Sequence, residues 1–529
     1  MTVPSLSGRL ERTATSEKRL EALADRVHAT DPDAEPITVT APATDDPIGH
    51  VPRCTDEDVA AAVDRARSAQ PTWAKRDPAD RATVLESFGD LVLERREALL
   101  DLVQLETGKA RANAVEELLD VPTTCSYYAS RAESVLADQS RSGAFPLATD
   151  ATVTREPVGV VAVISPWNYP LTLSVSDAIP ALLAGNAVVL KPDEKTPFIA
   201  LALAELLDEA GLPDGLFEVV TGDGAVVGPA LVDRVDYVAF TGSTETGRAV
   251  AERAGRNLIG CSLELGGKNP MIVLADAPLE EAARGAVQGC FTNAGQLCLA
   301  AERLYVQSAV YEDFLDAFVG ETRRLSLGTE VGYGSDVGSL IDDAQLERVE
   351  EHVDDAVSRG ASVLTGGRAR PDIGPFVYEP TILTDVDPDA LVVREETFGP
   401  VVTVTPVDDA LEAIEAANDS DYGLNASIWT DERKRGKALA REIEAGTVCV
   451  NDAYIAGWAA TGAPMGGVGD SGLGRRHGSE GIERYLEPRT IASSRIGPLA
   501  PPSGVPPTWT TRTLLAATRA KRRLSRWLR

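Results

Sequence analysis

Two short motifs of the chain hold side chains that can break and remake bonds at a carbonyl carbon. Cys298 ends the motif Asn293–Cys298, and Glu264 precedes the glycines Gly266 and Gly267. A thiolate is a strong nucleophile toward a carbonyl, and a carboxylate can activate a water to cleave the resulting thioester. The pair predicts oxidation of an aldehyde through a covalent intermediate, provided that a hydride acceptor binds beside it.

The surroundings of both residues favour this chemistry over a structural role. A free cysteine is most often a small buried apolar side chain, and a lone glutamate most often joins a surface ion pair. Asn293 is poor core material, however, and Gly295 permits close approach of the backbone to a ligand. Leu258 and Ile259 predict an apolar strand before Glu264, which places the carboxylate at the end of a strand.

Asn168 is the candidate for stabilising the oxygen of a reacting carbonyl. It lies in the motif Ser165–Pro170, directly after the predicted strand Val158–Ile164. An asparagine in a proline-rich turn is otherwise only a turn former. An amide fixed between prolines can instead act as an oxyanion donor, and loss of one such donor typically costs a factor of ~10²–10³ in rate.

Three further motifs predict a bound dinucleotide. The segment 240–247 ends a strand and opens a helix, and the amino end of a helix suits a pyrophosphate. Lys191 and Glu194 follow another strand, where they can hydrogen-bond ribose hydroxyls; an exposed turn is the alternative. Glu396 offers a second carboxylate for a ribose, and Phe398 offers a ring beside a nicotinamide.

The elements that must position these residues alternate between apolar strands and helices. This pattern predicts a parallel sheet covered on both faces, with a nucleotide at the carboxyl ends of its strands. The strand candidates of a first region are Val158–Ile164, Ala187–Leu190, Leu216–Val220 and Val235–Phe240. Those of a second α/β region, from about Leu265 to Asn451, are Met271–Leu274, Leu304–Val306, Val401–Val404 and Thr447–Val450.

Composition limits the partners of the chain. The 529 residues are 43% hydrophobic and 25% charged, which is ordinary for a globular enzyme. The 81 acidic residues exceed the 51 Lys and Arg, and the net charge of −30 excludes nucleic acid as a partner. A generic acidic enzyme is one interpretation. We favour adaptation to a salt-rich cytoplasm, where screening within ~3 Å at 1 M salt weakens self-repulsion.

Cysteine and histidine usage points to a reducing compartment and to no metal site. The six cysteines have no paired spacing, so a disulfide framework is not predicted and a cytoplasmic location fits. Residues 1–30 lack the apolar core of a signal peptide, and no apolar run reaches the ~18 residues of a spanning helix. The four histidines are well separated, which disfavours a histidine-based metal centre.

Both ends of the chain are predicted to be peripheral. Residues up to about Asp46 are rich in Thr, Pro and Asp and resemble a loosely ordered arm. After Ser494 a proline-rich stretch leads to a basic amphipathic helix. That helix could lie on an anionic membrane, dock on an acidic subunit or fray as a tail. Its apolar residues are Leu514, Ala517, Leu524, Trp527 and Leu528, and its arginines are Arg512, Arg519, Arg522, Arg523 and Arg526.

Taken together and in this order, the motifs resemble the aldehyde dehydrogenase superfamily from about Thr38 to Ser494. The resemblance implies that Cys298 is the nucleophile, that Glu264 is the general base, and that Asn168 with the Cys298 backbone N–H forms the oxyanion hole. It implies NAD or NADP as cofactor. It also implies a cofactor site made of Ser165, Trp167, Lys191, Glu194, Gly242, Ser243, Gly247, Leu265, Glu396 and Phe398.

The fold implied by the resemblance is α/β, with a Rossmann-type dinucleotide-binding domain, an α/β catalytic domain and a small β arm for oligomerisation. Such an arm implies a homodimer or homotetramer. The implied boundaries are an N-terminal arm over 1–37, the dinucleotide-binding domain over 38–143 and 157–264, the catalytic domain over 265–460, the oligomerisation arm over 144–156 and 480–494, and the linker with its basic helix over 495–529.

The closing segment 464–478 resembles a bacterial branch of succinate-semialdehyde dehydrogenases. Members of the better-studied branch carry an arginine for the substrate carboxylate where this chain has Ser176, and often a second cysteine where it has Ala300. A broad aliphatic or aromatic aldehyde dehydrogenase is therefore the alternative. A cysteine hydrolase and a non-catalytic homologue are the competing classes. Glu194 favours NAD, because its carboxylate repels the 2′-phosphate of NADP.

Overall fold

The computed structural model describes residues 15–31, 33–142, 149–494 and 503–527. The chain divides into two compact units. Met1–Val135 and Pro157–Glu487 form the first, and Leu136–Glu156 and Pro488–Arg529 form the second. No helix among the described residues combines the length and apolar character needed to cross a bilayer.

A six-stranded sheet lies in the first unit and carries the predicted dinucleotide motifs. Its four neighbouring strand pairs from Gly260–Glu264 onward are parallel, and the short edge strand is antiparallel. The observed strands match all four candidates of the first region to within a few residues. Their order is Gly472–Leu473, Gly260–Glu264, Tyr237–Thr241, Val160–Ile164, Ala187–Lys191 and Phe217–Val219.

A seven-stranded sheet in the same unit contains the second set of predicted strands. All of its pairs are parallel except the pair formed by the edge strand Ser362–Thr365. The order is Ser362–Thr365, Thr381–Thr384, Val401–Val407, Ala301–Gln307, Asn269–Val273, Asn425–Trp429 and Thr447–Val450. A further small pair joins Tyr422–Gly423 to Val468–Gly469.

Helices surround both sheets. The helices before Asn269 in the chain are Glu17–Ala24, Asp56–Ala74, Pro78–Glu94, Arg96–Thr107, Arg111–Ala129, Ala132–Leu136, Pro170–Leu173, Ala178–Leu183, Pro197–Glu209, Gly224–Val232 and Thr244–Asn257. The helices after Asn269 include those between the strands of the seven-stranded sheet, and they are Leu279–Phe291, Tyr311–Thr322, Asp343–Ser358, Leu391–Arg394, Ala410–Asn418, Arg433–Leu439, Ile455–Trp458 and Glu480–Glu483. Short 3₁₀ turns cover Thr292–Gly295, Ser308–Val310 and Ala440–Glu442.

The prediction of a loosely ordered arm up to Asp46 is wrong for its described part. Glu17–Ala24 is a helix that buries Leu20 and Leu23, and Ile37–Ala41 pairs antiparallel with Asp46–Val51. Leu20 and Leu23 are three residues apart and so share one face of the helix, which packs although the segment is mostly polar. Residues 1–14 lie outside the described part.

The prediction that Leu258 and Ile259 belong to a strand is also wrong. The strand begins at Gly260. Leu258 instead closes the helix Thr244–Asn257 in a left-handed conformation, with φ 57°, and the residue is 93% exposed. A left-handed residue at this position helps to satisfy the last carbonyls of the helix.

The second unit contains a three-stranded sheet and the C-terminal helix. Leu486–Ser494, Thr149–Pro157 and Gln139–Ser142 form the sheet in that order. The helix covers Pro507–Trp527 and exposes Trp509 and Leu515. Pro498, Pro501, Pro502 and Leu528 lie outside the described residues, as do residues 144–148 of the predicted arm.

Candidate active site

The carboxyl ends of the parallel strands bring the predicted motifs to one edge of the six-stranded sheet. Ile164 is in register with Lys191, and Thr241 is in register with Glu264. Ser165 follows the first of these strands and donates its backbone N–H to the Lys191 carbonyl at 3.0 Å. Strand ends that are level in this way place the motifs that follow them beside one another.

Glu264 ends its strand with a buried carboxylate that has a free oxygen. Its Oε1 has no hydrogen-bond partner among the described residues. Burial raises the pKa of Glu264 to about 7, against the opposing charge of Arg476. A Cβ on Gly466 would lie 3.1 Å from this Oε1, so the glycine preserves space beside the carboxylate. The group can accept a proton near neutral pH.

Cys298 follows a turn with three successive left-handed residues. The φ values of Asn293, Ala294 and Gly295 are 53°, 54° and 73°. A Cβ on Gly295 would lie 2.0 Å from the carbonyl oxygen of Gly399, which only glycine avoids. The close approach that Gly295 allows in the structure is to the backbone of Gly399.

Two side chains of the same turn hold it in place. Asn293 Nδ2 donates to the Gln296 carbonyl at 3.0 Å, and Gln296 Nε2 donates to the Asn293 carbonyl at the same distance. Gln296 Oε1 also accepts from the Ile341 N–H at 2.9 Å. Both side chains are buried, so the polar character of the motif fixes the loop that carries the thiol.

The Cys298 thiol is protonated at rest. Burial raises its pKa to about 12, and the carboxylates of Glu396 and Glu264 add to the rise while Arg476 opposes it. The Cys298 carbonyl accepts from Asn269 Nδ2 at 2.7 Å, which orients the residue from the neighbouring sheet. A thiol with so high a pKa becomes a strong nucleophile only when a base takes its proton.

Asn168 is anchored by a buried ion pair that the sequence interpretation missed. Its Nδ2 donates to the Gln296 carbonyl at 3.1 Å, and its own carbonyl accepts from Lys109 Nζ at 2.6 Å. Lys109 is paired with Glu117, and both side chains are fully buried. Glu117 also accepts from the Leu171 N–H at 2.8 Å. In sequence the pair looks like surface charge.

Lys191 and Glu194 meet at the end of their strand. Glu194 Oε1 accepts from Lys191 Nζ at 3.2 Å and from the Gly224 N–H at 2.6 Å. A Cβ on Gly224 would lie in ordinary contact with Glu194 Oε1, at 3.6 Å. A carboxylate and an ammonium side by side form an acceptor and donor set that fits ribose hydroxyls.

Each residue of the helix motif has its own structural role. Ser243 caps the helix Thr244–Asn257 by accepting from the Thr246 N–H at 3.3 Å. Gly242 donates its N–H to the Glu264 carbonyl at 3.0 Å. A Cβ on Gly247 would lie 2.4 Å from Leu265 Cδ2. The helix can therefore pack closely against the segment after Glu264, with its amino end at the sheet edge that suits a pyrophosphate.

Glu396 and Phe398 join the same edge from the second sheet. Glu396 Oε1 accepts from the Gly267 N–H at 2.8 Å, and burial raises the pKa of Glu396 to about 7. The Phe398 ring meets the Trp167 ring edge to face, with centroids 5.5 Å apart. The predicted cofactor residues thus lie near strand ends, on adjoining loops or, for Gly247, in the first turn of the helix, an arrangement that fits a dinucleotide.

A small cavity of about 40 Å³ adjoins the thiol. Cys298 and Asn168 line it together with Arg476 and His477, from the glycine-rich segment near the chain end. The sequence interpretation named no cation for a substrate carboxylate. The structure places Arg476 at the cavity, bound to Asp177 at 2.7 Å. Within the described ranges no cluster of His, Cys, Asp and Glu is arranged to hold a metal ion.

The profile of the Aldehyde dehydrogenase family matches residues 29–491. A protein of Mycobacterium tuberculosis H37Rv, named a putative NADP(+) succinate-semialdehyde dehydrogenase 2, is 50% identical over 487 residues, which cover 92% of this chain and 94% of that protein. The NADP(+) succinate-semialdehyde dehydrogenase of Escherichia coli K12 is 40% identical over 455 residues, covering 86% and 93%.

Solved structures confirm the predicted α/β fold. The chain matches an NADP-dependent enzyme of E. coli with a TM-score of 0.84 and 39% identity, covering 88% of this chain and 95% of that one. It matches betaine aldehyde dehydrogenase of Staphylococcus aureus in complex with NAD+ with a TM-score of 0.85 and 32% identity, covering 93% and 99%. The chain belongs to the aldehyde dehydrogenase family.

Proposed function

We propose that this protein oxidises an aldehyde to a carboxylic acid, with NAD or NADP as the hydride acceptor. The observation that carries the proposal is the placement of Cys298 and Asn168 on one cavity, within the electrostatic reach of the Glu264 carboxylate. A nucleophile, an amide donor and a base near neutral pKa are the groups that a thioester route requires.

In the first half of the reaction, the thiol proton of Cys298 passes to a base and the sulfur bonds to the aldehyde carbon. The Asn168 amide and the Cys298 backbone N–H donate to the oxygen as it gains negative charge. The nicotinamide supplies the chemistry of accepting a hydride. Loss of that hydride from carbon leaves a thioester on Cys298.

In the second half, Glu264 activates a water. It removes one proton as the water oxygen bonds to the thioester carbon, and the carbon–sulfur bond then breaks. The carboxylic acid leaves, and Cys298 regains its proton. The unpaired Glu264 Oε1 supports this assignment, because an oxygen without a partner is available to the water.

The cofactor proposal assigns Lys191 and Glu194 to one ribose and Glu396 to the other. The amino end of the helix after Ser243 takes the pyrophosphate, and Trp167 and Phe398 border the nicotinamide. NAD is the preferred form, because Glu194 repels a 2′-phosphate, and NADP is the alternative named for the relatives. We expect Glu194→Ser to shift preference toward NADP.

Succinate semialdehyde is the proposed substrate. The support comes from relatives that are 50% identical over nearly the whole chain and carry that name. Ser176 favours a second candidate, a broad aldehyde dehydrogenase, because it stands where the better-studied branch carries an arginine.

Cofactor reduction by the purified protein in high salt tests the function. Succinate semialdehyde and butanal are each assayed with NAD and with NADP. We expect turnover that Cys298→Ala abolishes and that Cys261→Ala, which removes a half-exposed thiol, preserves. Turnover that survives Cys298→Ala would contradict the mechanism, and a preference for butanal would leave a general aldehyde dehydrogenase.

We also propose a homodimer or homotetramer formed through the three-stranded sheet. Its strand Leu486–Ser494 exposes all but the first residue, including Ile491 at 56%, and an exposed strand is a template for pairing. Light scattering after size exclusion, with Ile491→Lys as the disrupting variant, tests this. The domain boundaries stated above remain predictions.

Two proposals concern the surroundings of the protein. All six cysteines are free, which supports a reducing cytoplasm, and the acidic charge supports a halophilic one.

The helix Pro507–Trp527 is proposed to dock on an anionic surface, either a membrane or an acidic subunit. Sedimentation with anionic and with neutral vesicles separates these two.

A further inference from the structure

Three residues that line the cavity beside Cys298 each have a polar side-chain atom without a hydrogen-bond partner among the described residues. These atoms are Tyr169 Oη, Ser176 Oγ and His477 Nδ1, and the three residues are 2%, 5% and 3% exposed. Buried polar atoms are nearly always paired, because an unmade hydrogen bond costs free energy. Three such atoms around one cavity indicate a ligand that completes them.

The charged side chains of the same cavity wall already have hydrogen-bond or ion-pair partners. Asp120 accepts from the Thr172 hydroxyl and from the Trp458 indole N–H at 2.9 Å. Arg476 binds Asp177, which Arg484 also contacts. The two hydroxyls and the imidazole nitrogen are therefore the groups left for a ligand.

The backbone holds His477 in an uncommon conformation. Its φ is 61°, in the left-handed region that non-glycine residues rarely adopt. Neighbouring backbone bonds fix it, with Arg476 N–H to the Met465 carbonyl at 2.6 Å and Gly478 N–H to the Thr461 carbonyl at 2.9 Å. The ring consequently remains at the cavity without a hydrogen bond from Nδ1 to secure it.

The hydrogen-bond donors of the wall suit an acceptor such as a carboxylate oxygen. Two hydroxyls and an imidazole N–H can all donate, and the group formed by Arg476, Asp177 and Arg484 carries one net positive charge. Asp120 opposes this charge, but its oxygens are engaged by Thr172 and Trp458. The cavity is small, at about 40 Å³, so the ligand that we consider is a short one.

We propose that Tyr169, Ser176 and His477 form the subsite that binds the carboxylate of a short ω-oxo carboxylic acid. This inference rests on the proposed function and deepens it. Neutral hydroxyl and imidazole donors, backed by the paired Arg476, take the place of a direct arginine contact. In the sequence, Ser176 counted against such a substrate because it stands in the place of an arginine. In this proposal, the Ser176 hydroxyl helps to bind the substrate carboxylate.

Single-atom deletions test the subsite. Ser176→Ala and Tyr169→Phe each remove one unpaired hydroxyl. We expect each to lower the ratio of kcat/KM for succinate semialdehyde to kcat/KM for butanal by about tenfold, the value of a hydrogen bond to a charged group. Because the deleted hydroxyls have no partner in the free protein, Tm should stay unchanged or rise, which a structural role would not allow.

The chain offers matched controls. Tyr485→Phe and Thr124→Val also remove buried hydroxyls without a partner, but neither residue lines the cavity. We expect the ratio to be unchanged in both. At position 477, Asn and Gly both accept a positive φ, but only Asn offers a nitrogen near the place of Nδ1. His477→Asn should keep more of the preference than His477→Gly.

A binding measurement separates this inference from the proposed function. Succinate should raise the Tm of the wild-type protein, and Ser176→Ala and Tyr169→Phe should reduce that rise. If the wild-type protein reduces no cofactor with any aldehyde, the proposed function is wrong. The subsite is still supported in that case if succinate raises Tm less in these variants than in the wild type. Turnover with an unchanged aldehyde ratio in both variants would overturn the subsite and leave aldehyde oxidation standing.

Discussion

Glu264 combines the two properties that a general base needs at neutral pH. Burial raises its pKa to about 7, and one carboxylate oxygen is free to accept a proton. A carboxylate at its ordinary pKa would be a far weaker base. The position of Glu264 at a sheltered strand end thus accounts for its basicity.

The pH profile should report this group. Glu264 cannot accept a proton while it is protonated, so we expect kcat to rise with pH through about 7 and then level off. Glu264→Gln should lower kcat by roughly 10²–10⁴-fold and remove that inflection. Steady-state rates across pH, with cofactor saturating, provide the measurement. An unchanged inflection in the variant would assign the titration to another group.

We expect loss of one partner of the Lys109–Glu117 ion pair to destabilise the protein, because the pair is buried. Lys109→Met leaves a buried carboxylate without its partner, and we expect a loss of about 3–5 kcal/mol in unfolding free energy. The double variant Lys109→Met with Glu117→Gln removes the charge and keeps an acceptor for the Leu171 N–H, so it should recover much of that loss. Urea unfolding of the three proteins checks this; equal losses in both variants would refute it.

At this scale, sequence motifs singled out Cys298, Glu264 and Asn168 as the proposed nucleophile, base and amide, because each lies in a distinctive local pattern. They did not predict Lys109 or Glu117, since burial of a charged pair is decided by distant packing. Arg476 was visible in the sequence, but only its ion pair with Asp177 shows where its charge lies.

The turn before Cys298 is the element on which the site depends. At Gly295 the positive φ and the close contact with the Gly399 carbonyl leave no room for a Cβ. Short apolar runs predicted the strands of the second sheet, because such runs between turn residues are typical of buried parallel strands. They could not predict this turn, whose shape comes from tertiary contacts to Gly399 and Ile341.

Gly295→Ala should displace the thiol. The new Cβ clashes with the Gly399 carbonyl and opposes a positive φ, so we expect a loss of more than about 1 kcal/mol in stability and slower alkylation of Cys298. Gly228→Ala is the control, because its helical site has open space around the added methyl. It should be neutral or stabilising. If Cys298 is alkylated as fast in Gly295→Ala as in the wild type, the loop accommodates the methyl group and the prediction is wrong.

The whole molecule carries a net charge of −30, which makes its stability depend on salt. Screening should relieve self-repulsion more than it weakens the exposed ion pairs, because the acidic excess remains after pairing. We expect Tm to rise by several degrees between ~0.01 and ~0.5 M KCl. An uncharged osmolyte at matched osmolality is the control. A falling Tm would show that surface ion pairs dominate.

The last strand of the six-stranded sheet and the cavity wall at Arg476 and His477 come from residues near the end of the chain. Translation therefore delivers the nucleophile and the base long before the wall that encloses the substrate. A nascent chain halted before Gly472 holds a thiol with an incomplete cavity, and we expect it to oxidise no aldehyde. We therefore expect the order of synthesis to keep an unfinished chain from forming thioesters on Cys298.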